Sequence, residues 1–240
     1  IGRNIDRPGA RSIAPMENVL AGWLKGLLTV IIATVLAGAM LLLIYVAGQI
    51  VPWWLLILAG GGFGLLYGLE AGILQVYDLE TGLGWVELLI DMTWSLPNTV
   101  FGFVFGNLIY VFFGLPSKAS SQGQGWVVYT PYSSSAAFGN SVLQTLGTIN
   151  IGGSGQHERM HLLQARIFGP LYLPLFALFY IVTFLIQVLW TATLGWILLL
   201  LHVRDTAWFT PPSSSAVSGF WGWIYYATPF ELWAYASGNP

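Results

Sequence analysis

Twenty-five consecutive residues, Gly26 to Ile50, carry no charged side chain. As a helix rising about 1.5 Å per residue, such a run is long enough to cross the roughly 30 Å hydrocarbon core of a bilayer. Arg3, Arg7, Arg11 and Lys25 precede it. A basic flank before an apolar run also describes a signal peptide, and Ala37-Gly38-Ala39 has the small-x-small form of a cleavage site. This run exceeds the roughly 7 to 15 residues of such a core, however, and it continues apolar from Met40 to Ala47. The expectation is an uncleaved anchor with the basic N-terminal segment on the cytoplasmic side.

Composition makes lipid the solvent for the rest of the chain. Only 8% of the residues are charged and 56% are hydrophobic, which leaves too little charge to cover a water-facing surface. The 12 Trp residues suit a membrane-water boundary, where one edge of the ring is wet and the other is not. The net charge of -2 offers no basic face to a polyanion, so nucleic acid is excluded as a partner class. Cysteine is absent, which removes disulfides and thiolate metal sites together, so any metal must sit on His and carboxylate.

A second apolar segment runs from Trp53 to about Tyr77, with Gly60, Gly64, Gly68 and Gly72 recurring every four residues. That spacing stacks the glycines on one helical face, where a neighbouring helix can approach closely. The stripe reads as helix packing within this fold. Glu70 lies near the end of the segment, two residues off the stripe. An intramembrane acid is a functional candidate, although near an interface it can simply reach water. Residues 78–97 carry Asp78, Glu80, Glu87 and Asp91 with no Lys or Arg. Glu87 and Asp91 share a helical face and could hold a metal or a proton; the polar face of an interfacial amphipathic helix explains them more cheaply. Pro97 ends that element, and Asn98 or Thr99 can cap the next. The apolar run from about Val100 to Gly114 is short for a span, and Gly102 and Gly106 form a second small-residue pair.

From Leu115 to Gly155 the chain turns to Ser, Gly, Gln, Tyr and Thr, and stretches around 126–129 and 141–151 have the composition of short strands or a hairpin. An apolar tract spans about Gly169 to Leu201, followed by a Pro/Ser-rich loop at 211–215 and an aromatic tail. The fold expected is mainly α: a polytopic transmembrane helical bundle forming one membrane domain over residues 1–240. Residues 115–168 supply a small extramembrane cap containing short β-strands and an HExxH helix.

That helix carries the chemistry. Gln156-His157-Glu158-Arg159-Met160-His161 contains HExxH, and its ends are two of the three His in the chain. The Gly152-Gly153-Ser154-Gly155 segment before it supplies a loop and a candidate cap in Ser154. Residues four apart share a helical face, so both imidazoles can address one metal, with Glu158 placed as general base. The bland alternative is two polar histidines on an interfacial helix and a first-turn carboxylate favoured by the helix dipole. A catalytic zinc takes a third protein ligand and keeps one position open. After His161 the candidates are His202, Asp205 and Glu231. Glu231 is chosen because Ala234, three residues on, leaves room beside a neighbouring helix.

The segments HERMHLLQARIFGPLYLPLF and TPFELWAY, with TWSLPNT at 93–99, resemble a widespread, largely uncharacterised group of bacterial membrane-associated proteins. The group shows HExxHxxQ, then Gly-Pro and an apolar tract, then Pro-Phe-Glu-x-x-Ala-Tyr. The resemblance implies a zinc-metallopeptidase-like protein of the bacterial inner membrane with His157, His161 and Glu231 as ligands and Glu158 as base. Gln164 matches the group's Gln, where a hydrogen bond behind the metal and plain helix surface serve equally well. One geometric demand follows. A single crossing by the tract at 169–201 would put the histidines and Glu231 about 30 Å apart, so the tract must form a hairpin, lie partly in the interface, or be followed by a segment that dips back.

The leading functional expectation is hydrolysis by metal-activated water at a zinc site in a membrane-embedded metallopeptidase-like protein. A second is a non-enzymatic accessory subunit of a larger membrane complex, motivated by glycine-striped helices and apolar aromatic surface, with membrane lipid and other membrane subunits as partners. A third, a transporter or channel component using Glu70, Glu87 and Asp91, ranks last because the chain lacks paired halves with broken helices.

Overall fold

The computed structural model describes residues 16–48, 51–132, 144–152, 155–195, 197 and 219–238. The protein is mostly helical, with a small four-stranded sheet, and three of its helices are long and apolar enough to cross a membrane. Ser154, His202 and Asp205 lie outside the described residues.

Helix α1 (Met16–Gly48) and helix α2 (Trp53–Leu74) form a closely packed antiparallel pair. The four glycines of the stripe on α2 are the reason the backbones can touch. A Cβ on Gly64 would be driven into the Ala33 carbonyl, one on Gly60 into the Ala37 carbonyl, and one on Gly72 into the carbonyl of Gly26, while Gly68 faces Val30. In lipid, where water exclusion does not drive helices together, such close approach is what holds a pair. The stripe is thus consumed inside the fold. Helix α2 stops at Gln75, which adopts φ 54°; its N–H and that of Val76 return to the Gly72 and Ala71 carbonyls in a Schellman-type end.

Helix α3 (Gly82–Met92) starts at Thr81, whose side chain accepts from the Gly84 N–H. It turns sharply, by 81°, into α4 (Leu96–Phe101), which continues through a π-helical turn (Gly102–Gly106) into α5 (Asn107–Tyr110). Strands β1 (Gly114–Pro116), β2 (Val127–Pro131), β3 (Gln144–Leu146) and β4 (Ile149–Ile151) form a sheet in the order β1-β2-β4-β3, with β2 and β4 parallel and the outer pairs antiparallel. Between β1 and β2 lies the short helix α6 (Lys118–Ser121). The expected strand regions are therefore occupied by β2 and by the β3–β4 hairpin, whose turn uses Gly147 at φ 54°.

The apolar run after Pro97 sets its Phe103 ring edge-on against Phe63 and Tyr67 of α2, but its glycines face elsewhere. Gly102 abuts the Leu146 carbonyl and Gly106 the Ile149 side chain, while the Tyr110 hydroxyl donates to the Gln144 carbonyl, 3.2 Å away. The helix therefore runs along the hairpin, and its small residues make room for a strand and not for a helix. Asn98 and Thr99 lie inside α4 and do not cap it, and the N-cap is Ser95. The sheet end of the molecule sits where α1 begins and α2 ends: the Gly123 and Gly125 N–H groups donate to the Gln75 and Val76 carbonyls, and Lys25 pairs with Glu80.

Helix α7 (Gln156–Phe168) carries both histidines of the motif. A 3₁₀ turn (Gly169–Leu171) joins it to α8 (Tyr172–Trp190), which runs on into a π-helical turn (Thr191–Gly195). Gly169 has φ 52°, and the Trp94 ring occupies the space that a Cβ would need there. After residues 201–218 come α9 (Gly219–Ala227) and α10 (Pro229–Ala236). Their contacts run antiparallel to α8. Phe184 meets Phe220 and Trp221, the Thr183 hydroxyl lies 3.2 Å from that of Thr228, and the Tyr180 hydroxyl donates to Glu231 at 3.2 Å.

Candidate metal centre

The antiparallel return of α9 and α10 answers the geometric demand set by the sequence. Were α7 and α8 one straight rod, the nineteen positions between His161 and Tyr180 would span about 28 Å. Instead Tyr180 reaches Glu231, and Glu231 reaches both histidines. The corner at Gly169 folds the helices toward each other, and Phe230 fills the angle against Phe168, Tyr172, Phe176 and Phe179. Of the three arrangements the sequence allowed, the segment at 219–236 dips back.

His157, His161 and Glu231 converge on one point. The two Nε2 atoms are 3.1 Å apart, and Glu231 Oε2 is 3.3 Å from His157 Nε2 and 3.4 Å from His161 Nε2. All three residues are buried, at 5%, 8% and 3% exposure. Zinc with bonds of about 2.0 to 2.1 Å in tetrahedral geometry spaces its ligand atoms about 3.3 Å apart, so this triangle has the dimensions of one face of such a site. Glu231 Oε2 is also a buried oxygen with no hydrogen bond of acceptable geometry. Two imidazole nitrogens and a carboxylate oxygen with nothing else to satisfy them form a donor set suited to a small cation. Burial alone would push the Glu231 carboxyl up, but the two imidazoles facing it outweigh burial and hold the group at about 2, so the oxygen stays anionic.

The groups behind the triangle fix its orientation. Gln164 is wholly buried; its Nε2 donates to the Phe230 carbonyl at 2.9 Å, which leaves Oε1 to accept from His161 Nδ1 at 3.0 Å. The bond places the His161 proton on Nδ1 and turns the Nε2 lone pair toward the centre. The same side chain ties α7 to α10, so one residue sets both a ligand's tautomer and the distance to the third ligand. Tyr180 holds the other Glu231 oxygen, and the Tyr235 ring lies 4.3 Å from that of His157. Glu158 is buried on the hairpin side of α7, where its carboxylate accepts from Thr145 Oγ1 at 2.6 Å, and Asn150 donates to that hydroxyl. Strand β3 thus aims the carboxylate.

Two further sets of residues position α7, and sequence reasoning assigned neither to it. The first lies around Pro97. Ser95 Oγ and Asn98 Nδ2 donate to the Ala165 carbonyl, Asn98 donates again to the Gly169 carbonyl at 2.8 Å, and Trp94 Nε1 donates to the Ile167 carbonyl. The Ala165 and Gly169 carbonyls also accept the backbone N–H groups of Gly169 and Tyr172, so these side chains add second bonds at the corner where α7 ends. The second is Arg166, whose Nε and Nη2 form a two-pronged pair with Asp91 at 2.9 and 2.7 Å while Nη1 meets Glu87 at 2.6 Å and Nη2 also donates to the Gly125 carbonyl. Glu87 and Asp91 are accordingly not the solvated face of an interfacial helix, since Asp91 is fully buried against a cation from 75 positions away. Burial and the nearby Asp91 charge push the Tyr77 hydroxyl well above its ordinary value, so it remains a donor to Asp91. Glu70 is bonded by Asn107, which also meets the Tyr129 hydroxyl.

Comparison of the chain with protein-family models, with curated proteins and with solved structures finds no match.

Proposed function

We propose that the protein is a membrane-embedded, zinc-dependent metallopeptidase-like hydrolase. The observation that carries this reading is the buried triangle of His157 Nε2, His161 Nε2 and Glu231 Oε2, with edges of 3.1 to 3.4 Å. Zinc held there would acidify a water and polarise a carbonyl, leaving one coordination position for substrate. Glu158, next to the first ligand and oriented by Thr145, is the group to accept the water's proton and pass it to the leaving amine. Gln164 and Tyr180 keep the ligands in register.

The protein belongs to a polytopic helical bundle in this reading, and the resemblance puts it in the bacterial inner membrane. The sheet and the histidine helix lie at the end where α1 begins, so a cytoplasmic basic segment brings the site to the cytoplasmic side. Two of the three features behind the rival readings are accounted for inside the fold, while exposed apolar side chains such as Trp23, Phe112 and Trp221 remain. The glycine stripe that suggested an accessory subunit packs α2 on α1, and Glu70, Glu87 and Asp91, the transporter candidates, all have protein partners.

The test is metal analysis joined to turnover. The purified chain should hold about one zinc, lost in His161→Ala and Glu231→Ala. Glu158→Gln should keep the zinc and lose hydrolysis of a peptide library by roughly 10²- to 10⁴-fold, the usual contribution of a general base. Unchanged hydrolysis by zinc-loaded Glu158→Gln would remove Glu158 from the mechanism, and failure of the wild-type chain to bind zinc would end the proposal.

A further inference from the structure

A groove of about 550 Å³ opens beside the crossing of α1 and α2, at the end where the two helices meet α6. Its walls are apolar side chains of the two spans, Leu27, Val30 and Ile73 among them, with Trp23 at the mouth. Leu27 and Ile73 are more than half exposed, so the walls run without a break into the surface that a bilayer would cover. The far end is polar. Lys118 and Gln122 of the α6 region close it, and α6 is tied to the spans through the Gly123 N–H on the Gln75 carbonyl.

Charge decides what fits. Lys25 is paired with Glu80, and Arg166 with Asp91 and Glu87. Lys118 has no carboxylate within ion-pair distance among the described residues, and it stands where apolar helix gives way to polar cap. A cation at that level, above a trough of methyl groups and beside an amide donor, has the chemistry of a phosphate diester with hydrocarbon below it. A soluble anion would leave the trough facing water, and a neutral lipid would leave Lys118 without a counter-charge.

We propose that this groove binds one phospholipid with an anionic headgroup, its phosphate on Lys118 and Gln122 and its first chain methylenes against Leu27, Val30 and Ile73. The site is separate from the metal centre and does not depend on it. By this placement the lipid bridges the α1–α2 pair and the cap.

The test is native mass spectrometry of the full chain, delipidated in detergent and given equal amounts of phosphatidylglycerol and phosphatidylcholine with identical acyl chains. A basic residue at a membrane surface contributes enough to expect about a fivefold preference for the anionic lipid in a one-lipid adduct. Lys118→Arg should keep that preference, Lys118→Glu should abolish it, and Ile73→Trp, which fills the trough from an exposed position, should weaken adducts of both lipids. Equal retention of the two lipids, or a preference that survives Lys118→Glu, overturns the proposal. Competition by free glycerol phosphate as effective as the whole lipid would also overturn it, by showing a site for a soluble phosphate ester.

Discussion

Replacement of Arg166 by Met should be among the most damaging single changes in the chain, for a reason that can be worked from the structure. The guanidinium makes four hydrogen bonds of 2.6 to 2.9 Å to Asp91, Glu87 and the Gly125 carbonyl. Asp91 is inaccessible, and the Arg166 and Glu87 side chains are 10% and 20% exposed. Removing one member of a buried pair strands the other, at a cost of about 3 to 5 kcal/mol. Part of Glu87 can still reach water, and Tyr77 still donates to Asp91, so the lower half of that range is expected, about 3 kcal/mol. The assay is equilibrium unfolding in detergent micelles followed by tryptophan fluorescence. The companion variant Arg166→Met with Asp91→Asn removes both charges together and should recover about half of the loss, because the penalty belongs to the uncompensated carboxylate and not to the absent contact. A loss below about 1 kcal/mol for the single change, or a double variant no better than the single one, would refute the reasoning.

Gln164→Leu should bind zinc roughly 10- to 100-fold more weakly than wild type in a chelator competition, since it frees the His161 ring to rotate, leaves Nδ1 unpaired and cuts the tie to the Phe230 carbonyl; an unchanged affinity contradicts that role. Zinc affinity should also fall as pH is lowered, because protons compete with metal for imidazole nitrogen, and a flat profile down to about pH 5 would show that the histidines are not ligands. Gly64→Val should cost about 1 to 3 kcal/mol or prevent folding, because its side chain meets the Ala33 carbonyl, whereas Gly61→Val should be tolerated because nothing lies within 4 Å of that position. The chain has no cysteine, so a single Cys at exposed Ser120 reports sidedness directly: in sealed right-side-out vesicles it should resist a membrane-impermeant maleimide, and ready labelling would reverse the orientation.

The parts of this architecture that were legible in the sequence are those that a local period encodes. A four-residue glycine repeat needs only a helix to become a stripe, and two histidines four apart need only a helix to face one way. The short strands were visible as β-branched and aromatic stretches between turn residues. What stayed hidden depends on distance along the chain. The acidic segment at 78–97 holds no cation of its own, and its partner, Arg166, lies on another helix, so Glu87 and Asp91 read as surface. Asn98 has the residue type of an N-cap and sits next to a helix start; it serves instead at the other end of a different helix, the last turn of α7. Gly102 and Gly106 carry the same small-residue signal as Gly60 and Gly64, yet they admit a hairpin and not a helix. Small residues announce a close approach without saying what approaches.

The same distinction bears on the proposed metal centre. Its two histidines arrive on one helix, but the third donor arrives from a segment seventy residues later, and nothing local specifies that meeting. Three ties enforce it: the Gly169 corner with the Trp94 ring against it, the Phe230 cluster that packs α10 into the angle, and the Gln164 bridge from His161 to the Phe230 carbonyl. Two of the three act through Phe230, the residue just before Glu231. A site that evolved only as helix surface would need none of them, because two exposed histidines are stable without a partner. Bringing a carboxylate out of water to face two imidazoles costs several kcal/mol unless a charge on the other side offsets it. The fold commits that cost at a single point and braces it from two directions, and the zinc proposed for this centre would offset it.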